Sequence, residues 1–182
     1  MSLVTQFRRR SAGFTIIELM FTVFIAAVLL AIAVPSFRGM MASNRLVTQT
    51  NDLIGAMNYA RSEAITRNRT AVFCRADSDT DTDCSAAAGN WGFWIIRNTA
   101  GEVSRRGTLP DYGGAMRVTS TIGLDRIAFG ADGLARTSLG ALLTNQQIDV
   151  CSTYNSGQNK RGIVVGSSSR VTVNKSSTAG VC

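Results

Sequence analysis

The stretch Gly13-Phe14-Thr15-Ile16-Ile17-Glu18-Leu19-Met20-Phe21-Thr22-Val23-Phe24-Ile25-Ala26-Ala27-Val28-Leu29-Leu30-Ala31-Ile32-Ala33-Val34-Pro35 decides how the rest of the chain is read. From Phe14 to Val34 it is apolar over 21 residues, broken only by Thr15, Glu18 and Thr22. As a helix rising about 1.5 Å per residue it spans roughly 30 Å, the thickness of a bilayer's hydrocarbon core. Arg8, Arg9 and Arg10 stand immediately before it with no acid among residues 1–13. The positive-inside rule therefore leaves residues 1–13 in the cytoplasm and sends the remainder outward. A secretory signal peptide is the competing reading. It calls for a shorter apolar core and a small-residue cleavage site, for which Ala26-Ala27 and Ala31-Ile32-Ala33 are the candidates.

Working outward, Pro35 either ends the membrane helix or kinks a longer one. The pattern beyond it favours continuation, because Leu46, Leu53, Met57, Ala60 and Ala64 recur at helical spacing while Arg45, Asp52, Arg61 and Arg67 fall off that stripe. One helix is expected from Phe14 to about Arg67, with Gly39 and Gly55 as local weak points. From Thr70 onward short β-type runs alternate with Gly, Asn, Asp and Ser. They are Thr70–Arg75, Trp91–Arg97, Val103–Arg106, Met116–Thr121, Arg126–Phe129, Gln147–Ser152, Gly162–Val165 and Arg170–Asn174. Ala131-Asp132-Gly133-Leu134 reads as a hairpin turning through Asp-Gly. The expected fold is α+β, a long N-terminal helix packed on a C-terminal antiparallel β-rich head. Its parts are a leader at 1–13, a membrane half at 14–35, an amphipathic half at 36–69 and the head at 70–182.

Of 182 residues none is His, which removes the commonest general base and the usual imidazole metal ligand. With no nucleotide loop or activated nucleophile either, no enzymatic activity and no cofactor are expected. Cys74, Cys84, Cys151 and Cys182 lie outside the membrane in the orientation above, where disulfides persist, and none forms a CxxC pair. Three pairings are possible. The two local closures, Cys74–Cys84 and Cys151–Cys182, are favoured, contributing about 3 and 4 kcal/mol on the chain-entropy model. Asp77, Asp79, Asp81 and Asp83 alternate with Ser and Thr between the first two cysteines. A calcium loop starting there requires Gly at its sixth position and Glu at its twelfth, and Thr82 and Ala88 stand instead. A solvated acidic loop is the better reading.

Glu18 needs a reason, since a carboxylate in a membrane segment costs on the order of 3 kcal/mol and marks a functional site by default. A free amine on Phe14, created by a cut after Gly13, would lie four residues away on the same helix face. Gly13-Phe14-Thr15-Ile16-Ile17-Glu18 resembles the cleavage signal of type IV prepilins and type II secretion pseudopilins, and Pro35 falls where that family commonly has a proline. The resemblance implies cleavage between Gly13 and Phe14 by a prepilin peptidase, N-methylation of Phe14, and pairing of Glu18 with a neighbouring subunit's N-terminal amine. Asn58-Tyr59-Ala60-Arg61-Ser62-Glu63-Ala64, Arg161-Gly162-Ile163-Val164-Val165 and Ser169-Arg170-Val171-Thr172-Val173 are similar to segments of the GspH/FimT/FimU group of minor pilins and pseudopilins.

That likeness implies a FimU-like minor type IV pilin. Such a subunit helps prime pilus assembly, enters the filament at or near its tip and serves twitching, adhesion and surface attachment. The implied partners are other minor and major pilins, the prepilin peptidase and the assembly platform of the inner membrane. The chain would first sit in a bacterial inner membrane as a single-pass protein with a periplasmic head, then in an extracellular pilus. FimT-like members bind DNA for natural transformation through a Gly-Arg-x-Arg element. Here Ser169 replaces the Gly, Arg170 is kept and Thr172 replaces the second Arg, so Lys160, Arg161, Arg170 and Lys175 are the residues of an alternative, DNA-binding reading. A GspH-like secretion pseudopilin is the second alternative.

Overall fold

The computed structural model describes residues 13–154, 157–166 and 168–177. Residues 1–12 of the expected leader, with Arg8, Arg9 and Arg10, and Cys182 lie outside the described residues. The described chain opens with α1 (Ile16–Thr66), a single helix that passes Pro35 without interruption. The β-strands follow in order: β1 (Ala71–Ala76), β2 (Phe93–Asn98), β3 (Val103–Thr108), β4 (Met116–Ser120), β5 (Arg126–Phe129), β6 (Ala135–Arg136), β7 (Gln146–Ser152), β8 (Lys160–Val165) and β9 (Val171–Ser176). Two units divide the chain between Arg38 and Gly39.

The first unit is the apolar half of α1, and its described residues from Gly13 to Arg38, the Pro35 side chain aside, are exposed. It is long and apolar enough to cross a membrane. In the second unit the chain from Ala42 to Ala64 is a helix with one buried stripe. Leu46, Leu53, Met57, Ala60 and Ala64 are all at most 1% exposed, joined by Ala42, Ala56, Gln49 and Thr50. The repeated alanines keep this face narrow, and the three long side chains fill the core at about 1.5–3 kcal/mol each. The helix ends because Asn68 adopts the left-handed conformation (φ 49°). The Arg69 amide then reaches Ala64 O at 3.1 Å and the Asn68 amide reaches Ile65 O at 3.2 Å, satisfying two carbonyls that the last turn would leave bare.

The strands form two antiparallel sheets, ordered β3-β2-β1-β5-β6 and β4-β7-β8-β9. Alternation along the strands sends Phe73, Ile96, Ile127 and Phe129 from the first sheet and Val118, Ile148, Val150, Ile163 and Val165 from the second into one core with the helix stripe. Trp91 and Trp94 close it, their rings 5.3 and 5.8 Å from that of Phe73. On the outer side of the first sheet Cys74, Ala76 and Ile95 make a smaller cluster. The Cys74–Cys84 disulfide belongs to it, with Cα atoms 5.6 Å apart. Cys151, on β7, is disulfide-bonded as well, and its expected partner is Cys182.

Each expected strand appears, with boundaries moved by at most two residues. Lys160 and Arg161 fall inside β8, and β9 begins after Arg170. The expected Asp-Gly turn is a three-residue loop, Ala131-Asp132-Gly133, closed by Gly130 N–H to Leu134 O at 3.0 Å. Gly133 takes φ 73°, the left-handed position such loops place last.

Candidate functional site

Gly13 and Phe14 precede the helix and are exposed, Phe14 at 82%. Thr15 caps the helix, its hydroxyl accepting the Glu18 amide at 3.3 Å while its carbonyl accepts the Leu19 amide at 3.1 Å. Glu18 therefore occupies the first turn, at the positive end of the helix dipole, in the T-x-x-E spacing of a capping box. Its carboxylate is exposed and has no hydrogen-bond or ion-pair partner among the described residues. The capping side chain is that of Thr15, which the sequence reading passed over although Thr15-Ile16-Ile17-Glu18 carries the signal. The arrangement combines an apolar helix with every large side chain uncovered and one free carboxylate within its first turn. It can pack laterally against like helices while the carboxylate accepts a cation from one of them.

The basic tail residues do not converge. Arg161 and Lys175 are directly opposed across β8 and β9 and share the face of Ile163 and Val173. Lys160 points to the other face, where its amine meets Asp149 at 2.9 Å. Arg170 is exposed in the turn before β9. Ser169 fills the place of the family's glycine with φ 59°, is 3% exposed and accepts the Ala135 amide through its hydroxyl. That bond ties the β8–β9 turn to β6 of the other sheet.

The acidic loop is committed to internal partners. Asp81 accepts the Asp77 and Ser78 amides, each at 2.9 Å, and the Ser78 hydroxyl at 2.7 Å. The Ser78 hydroxyl, then the amides, hold its carboxyl below the usual range. Asp77 pairs with Arg75 at 2.8 Å, Asp83 with Arg97, and the Asp79 carbonyl accepts from Arg106. Behind the loop, buried Asp125 accepts the Gly89 amide at 2.7 Å and the Ser120 hydroxyl, and lies 3.4 Å from Arg75 Nε. Sequence reasoning missed Asp125, whose partners are drawn from segments up to 50 residues away.

These features coincide with two family matches. The family described as Type II transport protein GspH matches residues 49–176, and the prokaryotic N-terminal methylation motif matches residues 8–34. The chain belongs to the GspH family. The fold of this GspH-family chain is similar to that of the type IV minor pilin FimU of Pseudomonas aeruginosa in one crystal form, with a TM-score of 0.53 at 16% identity over 72% of this chain and 90% of that one. A second crystal form of the same protein gives a TM-score of 0.45 at 15% identity, over 73% and 89% of the two chains. No curated protein is significantly similar to it. Gly13, Phe14 and Glu18 fall in the segment that matches the methylation motif, and the nine strands of this GspH-family chain among the described residues fall in the other.

Proposed function

We infer that this chain is a minor type IV pilin, a structural subunit cut after Gly13, methylated on Phe14 and incorporated at or near a filament tip. The observation that carries this reading is the helix N-terminus. An uncovered apolar helix presents one carboxylate, Glu18, without a partner among the described residues, and it continues directly into a head with its own core. In a filament the apolar face packs on neighbouring helices and Glu18 meets the amine of an adjacent Phe14. Before assembly the same helix holds the subunit in the inner membrane. The prepilin peptidase, the assembly platform and other pilins follow as partners.

The direct test replaces Glu18 by Ala. Processing should persist while recovery of the chain in sheared pili falls; unchanged recovery contradicts the pairing. A second reading, a secretion pseudopilin, is favoured by the description of the matching family as a type II transport protein. A deletion strain separates them, because loss of surface pili and twitching follows from the first and loss of protein secretion from the second. Loss of transformation alone would instead favour the DNA-binding alternative, whose residues the fold divides between two faces.

A further inference from the structure

The outer face of the first sheet is only half covered. Register places Val72 and Cys74 of β1, Ile95 and Arg97 of β2, Arg126 and Ala128 of β5 and Arg136 of β6 on that side. The disulfide loop lies over the Cys74 and Ile95 part. The rest is a groove of about 460 Å³, floored by Val72, Ala128 and Cys84 and rimmed by Arg97, Arg126 and Arg136.

The three guanidiniums are not equivalent. Arg97 is paired with Asp83 and Arg136 with Asp132. Among the described residues Arg126 donates only to the Ser85 carbonyl, at 3.0 Å, and its buried Nε has no partner. Of the three groove cations, Arg126 therefore has no carboxylate partner among the described residues. Beside it, Thr137, Ser138 and Gly140 form the groove wall, and between them Leu139 is 94% exposed. That leucine is held out by a fixed turn, with Thr137 N–H to Ala141 O at 2.8 Å, Gly140 N–H to Thr137 O at 3.0 Å and Gly140 at φ 85°. A preorganised apolar knob beside a groove with an uncompensated cation is the composition of a protein docking site, where little conformational entropy remains to be lost on binding.

We propose that this groove and Leu139 dock the head of a neighbouring filament subunit that presents a single carboxylate flanked by apolar side chains. Arg126 takes the carboxylate and Leu139 enters an apolar recess on the partner. A polyanion such as DNA fits poorly, because Asp83 already engages Arg97 and Asp132 already engages Arg136, which leaves Arg126 for a single charge. The proposal rests on the filament-subunit reading above and names which side of the head makes the contact.

The test uses the full chain in cells, with a photoreactive benzophenone side chain at position 139. Irradiation should join it to another chain carrying the N-terminal methylation motif, at a peptide containing Asp or Glu. Arg126→Gln should cut the adduct about tenfold or more, the loss expected when one partner of a desolvated charge pair is removed. Leu139→Asp, at a fully exposed site that leaves the fold intact, should lower co-isolation of that same partner. An adduct to DNA, to a second copy of this chain or to a peptide without an acid overturns the proposal. So does the absence of an adduct while the chain is recovered in sheared filaments, a result that leaves the filament reading standing. Failure to find the wild-type chain in filaments defeats that reading, and the docking proposal with it.

Discussion

Ser169 shows how one residue can be misread when its partner is far away in sequence. The family comparison treats it as a lost glycine, but its hydroxyl accepts the amide of Ala135, 34 residues earlier, at a position 3% exposed. Two effects oppose each other there. The left-handed φ of 59° favours glycine by roughly 1 kcal/mol, and an unpaired buried N–H costs about 1–3 kcal/mol. Ser169→Ala keeps the backbone strain the serine already carries, loses the hydroxyl and should lower unfolding stability by about 1–3 kcal/mol. Ser169→Gly relieves the backbone and should cost about 1 kcal/mol less than the Ala variant, and equal losses in urea titrations would show that the hydroxyl alone matters. Gly107 presents the steric case. A Cβ there would lie 2.3 Å from Trp94 Cζ2 in the core wall, so Gly107→Ala must displace a tryptophan and should cost about 1–3 kcal/mol by the same measurement.

Among the elements, α1 was the most legible. Leu46, Leu53, Met57, Ala60 and Ala64, the stripe that predicts a helix running past Pro35, are the residues that the structure buries. Hydrophobic period reports which face meets a core, whatever supplies that core. Leu53→Ala should accordingly cost about 3–5 kcal/mol in thermal or denaturant unfolding, whereas Asp52→Ala beside it should fall within about 0.5 kcal/mol of the parent. The hairpin β5–β6 was legible in kind, through Asp-Gly, but not in chemistry. Asp132 accepts from Arg136 at 2.8 Å and from the Leu134 amide at 3.1 Å, which together hold its carboxyl well below the ordinary range and raise Arg136. The folded value is the lower one, so this contribution to stability is complete above pH of about 4 and is lost as pH falls further. The Asp132 carboxyl resonance should titrate below that of an unstructured Asp, with protection of the Leu134 amide falling in step. An ordinary inflection would show that the pair does not persist in solution.

At the scale of the whole molecule, local pattern gave the elements and could not give their closure. The Arg75–Asp125 contact, the Trp91 seat, the Asp83–Arg97 pair and the Arg106 bond to the Asp79 carbonyl all join segments distant in sequence, where no period or turn rule operates. The proposed assembly residues Gly13, Phe14 and Glu18 can be put forward from sequence for the opposite reason, since they lie in one continuous stretch. The same division yields a prediction for the intact architecture. Every buried side chain among the described residues lies at or beyond Ala42, while Phe14 to Phe37 expose large apolar groups throughout. The core is therefore complete without the first 38 residues, and a chain beginning at Gly39 should be soluble without detergent and unfold cooperatively, retaining near-ultraviolet dichroism from Trp91 and Trp94. In that chain the Cys74–Cys84 link closes the loop whose carboxylates hold the outer face. Cys74→Ala with Cys84→Ala should lower stability by about 3 kcal/mol, or the melting temperature by roughly 10 °C. The helix face should remain protected from hydrogen exchange while the amides of Asp77, Ser78 and Gly89 lose protection first. Uniform loss across the head would instead show that the loop and the central core unfold as one unit.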